Sequence, residues 1–164
     1  MAVNPSESPE PSVQPGPPRP NPALKDLEVF VGDWDMEISR ASFLPDPSAT
    51  VHGYASIEWL EKGAFLVIRG GEKPNTPFSI WVIGRDESTE TYKILHFDTR
   101  GVSRIYDMSF HEDVWKIWRD APGFSQRFTG TFSEDGKSIS AQWEKSSNGK
   151  TWEHDFNLTY TKIK

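Results

Sequence analysis

The stretch YKILHFDTRGVSRIYDMSFHEDVWKIWRDAPGFSQRFTGTF, from Tyr92 to Phe132, decides the fold class of this chain. It divides into four extended segments, because residues typical of strands, such as Ile, Val, Tyr, Phe and Trp, recur between short turn sequences. The turns, among them Arg100-Gly101 and 111–113, are of hairpin length, so consecutive segments should pair in antiparallel fashion. The stretch therefore predicts an antiparallel, all-β structure.

The same spacing of strand and turn continues on both sides of this stretch. The predicted strands are ten: one opening at Trp34, then Thr50–Leu60, Ala64–Arg69, Phe78–Gly84, Thr91–Asp98, Val102–Phe110, Val114–Arg119, Ser125–Ser133, Ser138–Lys145 and Thr151–Lys162. An open sheet of these strands would leave two unpaired edges, which closure removes. We predict a ten-stranded antiparallel up-and-down β-barrel, with a two-sheet sandwich as the alternative. Side chains do not easily fill a barrel of this size, so a cavity is expected.

The N-terminal part differs in composition from the rest of the chain. Residues 1–22 contain eight prolines among polar residues, which predicts a disordered tail. In the sequence ALKDLEVFVGDW, Leu24, Leu27 and Val31 follow the spacing of a helix face, and Gly32 is a suitable helix end. The sequence thus predicts a tail over 1–22 and one barrel domain over 23–164 that opens with a short helix.

Charge and composition exclude several classes of protein. Asp and Glu number 24 against 18 Lys and Arg, a net charge of −6 without a basic block, which argues against nucleic acid as a partner. The chain has no cysteine, so disulfides, thiolate metal sites and cysteine nucleophiles are excluded. No apolar run is typical of a signal peptide or a membrane span. We expect a cytoplasmic protein, monomeric or homodimeric, with a small molecule as its partner.

Several motifs resemble a known group of barrels. Gly32-Asp33-Trp34, at the start of the first strand, resembles the Gly-x-Trp opening of lipocalins and other calycin-like barrels. The region Leu24–Lys162 resembles an uncharacterised bacterial family of lipocalin-like barrels, through HFDTRGVSRIYDMSF, WKIWRDAPGFSQRFTG and WEHDFNLTYT. The resemblance implies a barrel whose floor is closed by Trp34, and it brings no established activity.

The chain is similar, more distantly, to the ten-stranded haem-binding barrels of the nitrobindin type. Those proteins hold ferric haem through one histidine near the C-terminus, and His154 lies in the matching last strand. The resemblance therefore implies haem as a candidate cofactor and His154 as its metal ligand. Met36 and Ile38 occupy two positions where the haem-binding barrels carry glycine.

Two histidines are candidates for a ligand site. Residues of the last strand alternate so that His154 shares a face with Phe156 and Leu158, which predicts an inward ring. The strand of His96 is apolar on both faces, so its direction stays open; an inward ring could pair with His154. Such a histidine can fill the core, bind a ligand or act as a base. Without a carboxylate on the same face, the two rings do not predict a metal site.

Arginines among aromatic residues complete the predicted site. Arg119 shares its face with Trp115 and Ile117, and a buried guanidinium requires either an acidic partner or an anionic ligand. The sequence is compatible with both an acidic partner and an anionic ligand. The predicted ligand-binding residues are His154, His96, Tyr106, Trp118, Arg119 and Arg127.

Three functions are compatible with these patterns. The preferred one is an intracellular barrel that encloses a small, largely apolar ligand, with haem as a candidate. The second is an isomerase, cyclase or hydrolase that uses His154 or His96 as a base and Arg119 to stabilise negative charge. The third is an interaction protein, in which the Pro-rich tail recruits partners and the barrel is filled. The sequence has no nucleophile elbow, phosphate loop or His-Glu-x-x-His motif that would name a reaction.

Overall fold

A computed structural model describes residues 19–73 and 77–164. The elements are a 3₁₀ helix, Pro22–Phe30, and ten strands: β1 (Gly32–Ser39), β2 (Val51–Glu61), β3 (Phe65–Gly71), β4 (Ser79–Asp86), β5 (Thr91–Asp98), β6 (Ser103–His111), β7 (Val114–Arg119), β8 (Ser125–Phe132), β9 (Ser138–Ser146) and β10 (Glu153–Lys162). Residues 1–18 of the predicted tail lie outside the described part. No helix of the described residues has the length and apolar character needed to cross a membrane.

The strands form one closed antiparallel barrel. Each strand pairs with its neighbours in sequence, and β1 closes the ring by pairing with β10, where Trp34 lies opposite Lys162. The predicted all-β barrel of ten strands is confirmed, and the sandwich alternative is excluded. The predicted strand ends are within two residues of the observed ones, because the turn sequences that limit the strands are recognisable locally.

The helix closes one end of the barrel. Leu27 and Phe30 are fully buried, and the Phe30 ring makes edge contacts with Phe110, Trp115 and Phe132 at centroid distances of 4.9 to 5.0 Å. Such contacts add to the free energy gained from burying the rings. The interior of this end is therefore a packed aromatic core.

Trp34 joins the helix to the barrel floor. Its ring is fully buried, and its Nε1 donates a hydrogen bond of 2.8 Å to the Phe30 carbonyl oxygen. The ammonium group of Lys162 lies 5.0 Å from the centre of the indole ring, within the range of a cation–π contact. This placement agrees with the floor position that the Gly-x-Trp resemblance implies.

A β-bulge interrupts the last strand. In the pairing of β10 with β9, His154 lies opposite Glu144 and Phe156 lies opposite Trp143, so Asp155 is an extra residue. One inserted residue reverses the faces of the residues on its N-terminal side. Phe156 keeps the inward direction, whereas His154 is exposed. The predicted inward orientation of His154 is therefore wrong.

Candidate ligand-binding site

A cavity of about 580 Å³ opens at the end of the barrel opposite the helix. Its inner wall is formed by Met36 and Ile38 of β1, Gly53 of β2 and Gly70 of β3, and Phe78 lies beside the mouth. This volume is within the range of small-molecule sites, which is roughly 300–1,000 Å³. We call this space the open-end cavity.

Two glycines of the cavity wall lie where neighbouring strands approach closely. A Cβ atom at Gly70 would lie 3.3 Å from Ser79 Oγ, and one at Gly53 would lie 3.1 Å from the Gly71 carbonyl oxygen. Glycine within a strand is unfavourable unless a close approach or an open space requires it. Both glycines therefore occupy positions of close approach, and the register partner of Gly53 is Met36 of the cavity wall.

The mouth of the cavity is polar. The exposed residues His52, Glu72 and Lys73 lie around it, together with Ser79 and Thr99. His52 Nε2 is 3.9 Å from a carboxylate oxygen of Glu37 in solvent. A largely apolar wall with a polar mouth suits a small ligand whose body is apolar and whose end is polar.

A buried polar cluster lies at the same end of the barrel, on β5 and β6. His96 is 8% exposed, and its Nε2 lies 3.1 Å from Asp98 Oδ2, which also accepts a 2.7 Å bond from Arg100. That Arg100 bond holds the pKa of Asp98 below its usual range. Burial lowers the pKa of His96 although the Asp98 bond opposes it. His96 is therefore neutral at pH 7, and its buried Nδ1 has no partner among the described residues.

Arg104 and Tyr106 continue this cluster on β6. The Tyr106 hydroxyl donates to Gln126 Oε1 at 2.7 Å, and Arg104 Nη1 donates to the same oxygen at 3.1 Å. Arg104 is the register partner of His96, and its guanidinium lies 5.3 Å from the Phe124 ring centre. Within the described residues no carboxylate forms an ion pair with Arg104, so this cation is available to an anionic group.

Trp81 packs against both the histidine and the tyrosine. Its ring is 5.6 Å from that of His96 and is stacked on Tyr106 at 6.0 Å. Ser79, two residues earlier in β4 and on the cavity wall, is the register partner of Asp98. The open-end cavity and the polar cluster thus occupy neighbouring parts of one barrel end.

Two of the predicted site residues lie on the outer surface. Arg127 is exposed and donates to both carboxylate oxygens of Glu144 at 2.7 and 3.0 Å, and its guanidinium lies 4.2 Å from the Trp152 ring centre. Trp118 is the register partner of Arg127, on the face opposite the buried Ile117. Trp118 and Arg127, both predicted as ligand-binding residues, do not line the interior, because strand alternation directs both outwards.

His154 is also outside. Its ring is exposed, and Nε2 lies 2.8 Å from Asn157 Oδ1. A haem in the barrel interior cannot be ligated by this ring, so the residues present do not fit haem held through His154. Arg119, by contrast, is half-buried and is the register partner of Gln126. The Gln126 side chain in turn bonds the Tyr106 hydroxyl.

None of the six predicted residues lines the open-end cavity. The signals that could have located it are the inward alternation of Met36 and Ile38 and the glycines within strands, Gly53 and Gly70. Their convergence depends on the register between β1, β2 and β3, which is not visible in the sequence. Among the described residues, no three potential metal ligands of the His, Cys, Asp or Glu type cluster together.

Comparison with known proteins identifies the fold. No family model matches the chain, and no curated protein matches it. The crystal structure of Rv2717c from M. tuberculosis is similar, with 11% sequence identity, a TM-score of 0.57 and coverage of 89% of this chain and 100% of that chain. At this identity the likeness shows the fold alone.

Proposed function

We propose that this protein binds a small, largely apolar ligand in the open-end cavity, as a cytoplasmic member of the lipocalin-like family that its motifs resemble. The observation that carries the proposal is a cavity of about 580 Å³ whose wall lacks side chains at Gly53 and Gly70. A ligand that covers this apolar wall removes it from water, which favours binding. Binding is compatible with the calycin-like fold.

The polar end of the ligand would bind the neighbouring cluster. His96 Nδ1 is a buried acceptor without a partner in the part of the chain that the structure describes, and leaving such an atom unpaired costs free energy. A hydroxyl or amide N–H of the ligand would satisfy it. Arg104 and the half-buried Arg119 would favour a ligand that also carries a negative charge. Tyr106, already bonded to Gln126, would hold Arg104 in position.

Filling the cavity tests the proposal. Replacing Gly70 by Val puts a side chain on the cavity wall, where the nearest atom is the hydroxyl of Ser79. The fluorescent anion 1-anilinonaphthalene-8-sulfonate is the probe, and we expect Gly70→Val to weaken its binding about tenfold or more. Gly84→Val is the matched control, because Gly84 is also in a strand and has no neighbour within 4 Å of the added Cβ. Equal affinity of both variants and the wild type would refute the proposal.

Catalysis is the second candidate function, favoured by the environment of His96. A neutral imidazole whose Nε2 is bonded to Asp98 presents Nδ1 as a proton acceptor, which is the arrangement of a general base with an orienting carboxylate. Arg104 lies directly opposite and could stabilise negative charge on the substrate. The reaction classes are isomerase, cyclase or hydrolase.

The two functions are distinguished by the fate of the bound molecule. Native mass spectrometry of protein purified from its own host identifies the co-purifying ligand. That ligand is then incubated with the wild type and with His96→Gln, and its NMR spectrum is followed. Conversion by the wild type alone supports catalysis, whereas a ligand unchanged by both proteins supports binding.

Haem binding and an interaction protein with a filled barrel are the remaining functions that the sequence predicts. Haem does not fit through His154, because the ring of His154 lies outside the barrel. An interaction protein with a filled barrel is disfavoured by the open-end cavity. Most of the Pro-rich segment that would recruit partners, 1–18, lies outside the described residues.

A further inference from the structure

The outer surface of β4, β5 and β6 is unusually apolar. Four large side chains are exposed there: Ile80 at 39%, Leu95 at 42%, Phe97 at 47% and Ile105 at 64%. Ile80 is the register partner of Phe97, and Leu95 is that of Ile105. The four residues therefore form one continuous surface, which we call the β4–β6 face.

The size of this surface indicates a contact site. From their exposed fractions, the four side chains present on the order of 400 Å² of apolar surface, and exposed patches of a few hundred Å² typically mark interaction sites. Val82, half-buried and paired with Leu95, extends the surface along β4. Scattered apolar residues are common on protein surfaces, but a contiguous group on three paired strands is not.

The charges at the border of the face restrict its partner. Lys93 is ion-paired with Asp107, and Arg69 with Glu58, within the same chain. An anionic membrane or a nucleic acid would require unpaired cations at this border. In a symmetric dimer this face of one copy contacts the same face of the other copy, so an excess of one charge would repel itself. The border of such a face must therefore be close to neutral. With a net charge of −6, two copies repel each other over most of their surfaces, and this balanced face avoids that repulsion.

We propose that the β4–β6 face is the interface of a symmetric homodimer. A twofold axis in the interface, crossing β5 at His96, would set Phe97 of one copy against Leu95 of the other. The same axis would set Ile80 of one copy against Val82 of the other. With its charged border included, the contact would approach the roughly 800 Å² per partner that stable interfaces bury. Aromatic and aliphatic residues at the centre with ion pairs at the rim are the usual anatomy of such an interface.

The dimer and the ligand proposal are independent. The β4–β6 face lies on the outside of the barrel, whereas Met36, Gly53 and Gly70 line the open-end cavity inside it. A monomeric protein could still bind the probe, and a dimer could form around an empty cavity. Failure of one proposal therefore leaves the other intact.

Sedimentation equilibrium of the full chain tests the dimer. We expect the wild type at micromolar concentration to have twice the chain mass of 18.6 kDa. Ile105→Glu should give the mass of a single chain, because two carboxylates would have to be buried in the contact. Since Ile105 is 64% exposed in the single chain, its far-UV circular dichroism should not change.

The control places the same charge on another exposed apolar residue. Leu60 of β2 is 55% exposed and lies away from the face, so Leu60→Glu should remain dimeric. A wild type that is monomeric up to about 1 mM would overturn the proposal. A dimeric Ile105→Glu protein would also overturn it, as would dissociation of both variants to the same extent.

Discussion

At His96, burial and a hydrogen bond act on the imidazole in opposite directions. Removal from water disfavours the charged ring and lowers its pKa, while the bond to Asp98 favours the charged ring. Burial is the larger effect, and the guanidinium groups of Arg100 and Arg104 act in the same direction as burial. Burial therefore favours the neutral form of the ring, which packs against Trp81.

This environment predicts a loss of stability in mild acid that depends on His96. The folded pKa lies below the ordinary value of 6.5, so the unfolded chain binds more protons between the two values. The contribution is fully present above pH 6.5 and is lost as the pH falls through the folded pKa. Urea unfolding at about pH 7.5 and about pH 5.5 should show a smaller pH effect for His96→Gln than for the wild type. An identical pH effect would contradict the prediction. Asp98 does not interfere, because its ordinary pKa of 3.8 is lowered.

The buried hydrogen bond of Trp34 gives a second prediction about a single residue. Trp34→Phe keeps an aromatic ring at the floor but removes the Nε1 donor and leaves the Phe30 carbonyl oxygen without its 2.8 Å bond. The expected loss is about 1–3 kcal/mol of unfolding free energy, measured by urea denaturation. Trp118→Phe is the control, since Trp118 lies on the outer surface, and its loss should be smaller. If the two losses were equal, the buried hydrogen bond would not be the cause.

Strand β10 shows how far the sequence determines an element. The positions of all ten strands follow from alternation and turn residues, which act locally. The bulge at Asp155 does not follow from these local signals, because the residue that holds it is distant in sequence. Ser42 Oγ donates a 2.6 Å hydrogen bond to Asp155 Oδ1. The direction of His154 could therefore not be predicted from β10 itself.

The position of the open-end cavity could not be predicted from the sequence for a related reason. Its wall combines Met36, Gly53 and Gly70 from three strands, and only their register makes the residues neighbours. A glycine in one strand indicates close approach or open space, but the sequence does not say which. The presence of a cavity follows from strand number, and its position does not.

The contact between the β1–β2 loop and the bulge of β10 gives a prediction about the order of that loop. Ser42 also donates its backbone N–H to the Asp155 carbonyl oxygen at 2.7 Å, and Lys145 Nζ donates to Ser42 Oγ at 2.9 Å. Ser42→Ala removes both hydroxyl bonds, so amide hydrogen exchange in residues 40–50 should become faster. Ser48→Ala is the control, because the Ser48 hydroxyl bonds only Asp46 within the loop. Unchanged exchange in Ser42→Ala would show that the backbone bond alone fixes the loop.

The two ends of the barrel interior differ in packing. Phe30 fills the closed end, fully buried against Trp115 and Phe132, and the open end keeps its cavity. Phe30→Ala should therefore lower the free energy of unfolding by about 3–5 kcal/mol, measured by denaturation, without weakening probe binding at the open end. Lys25→Ala, an exposed position on the same helix, should change neither property. If Phe30→Ala stayed folded but lost the probe, the two ends would act as one cavity, and the assignment of binding to the open end would fail.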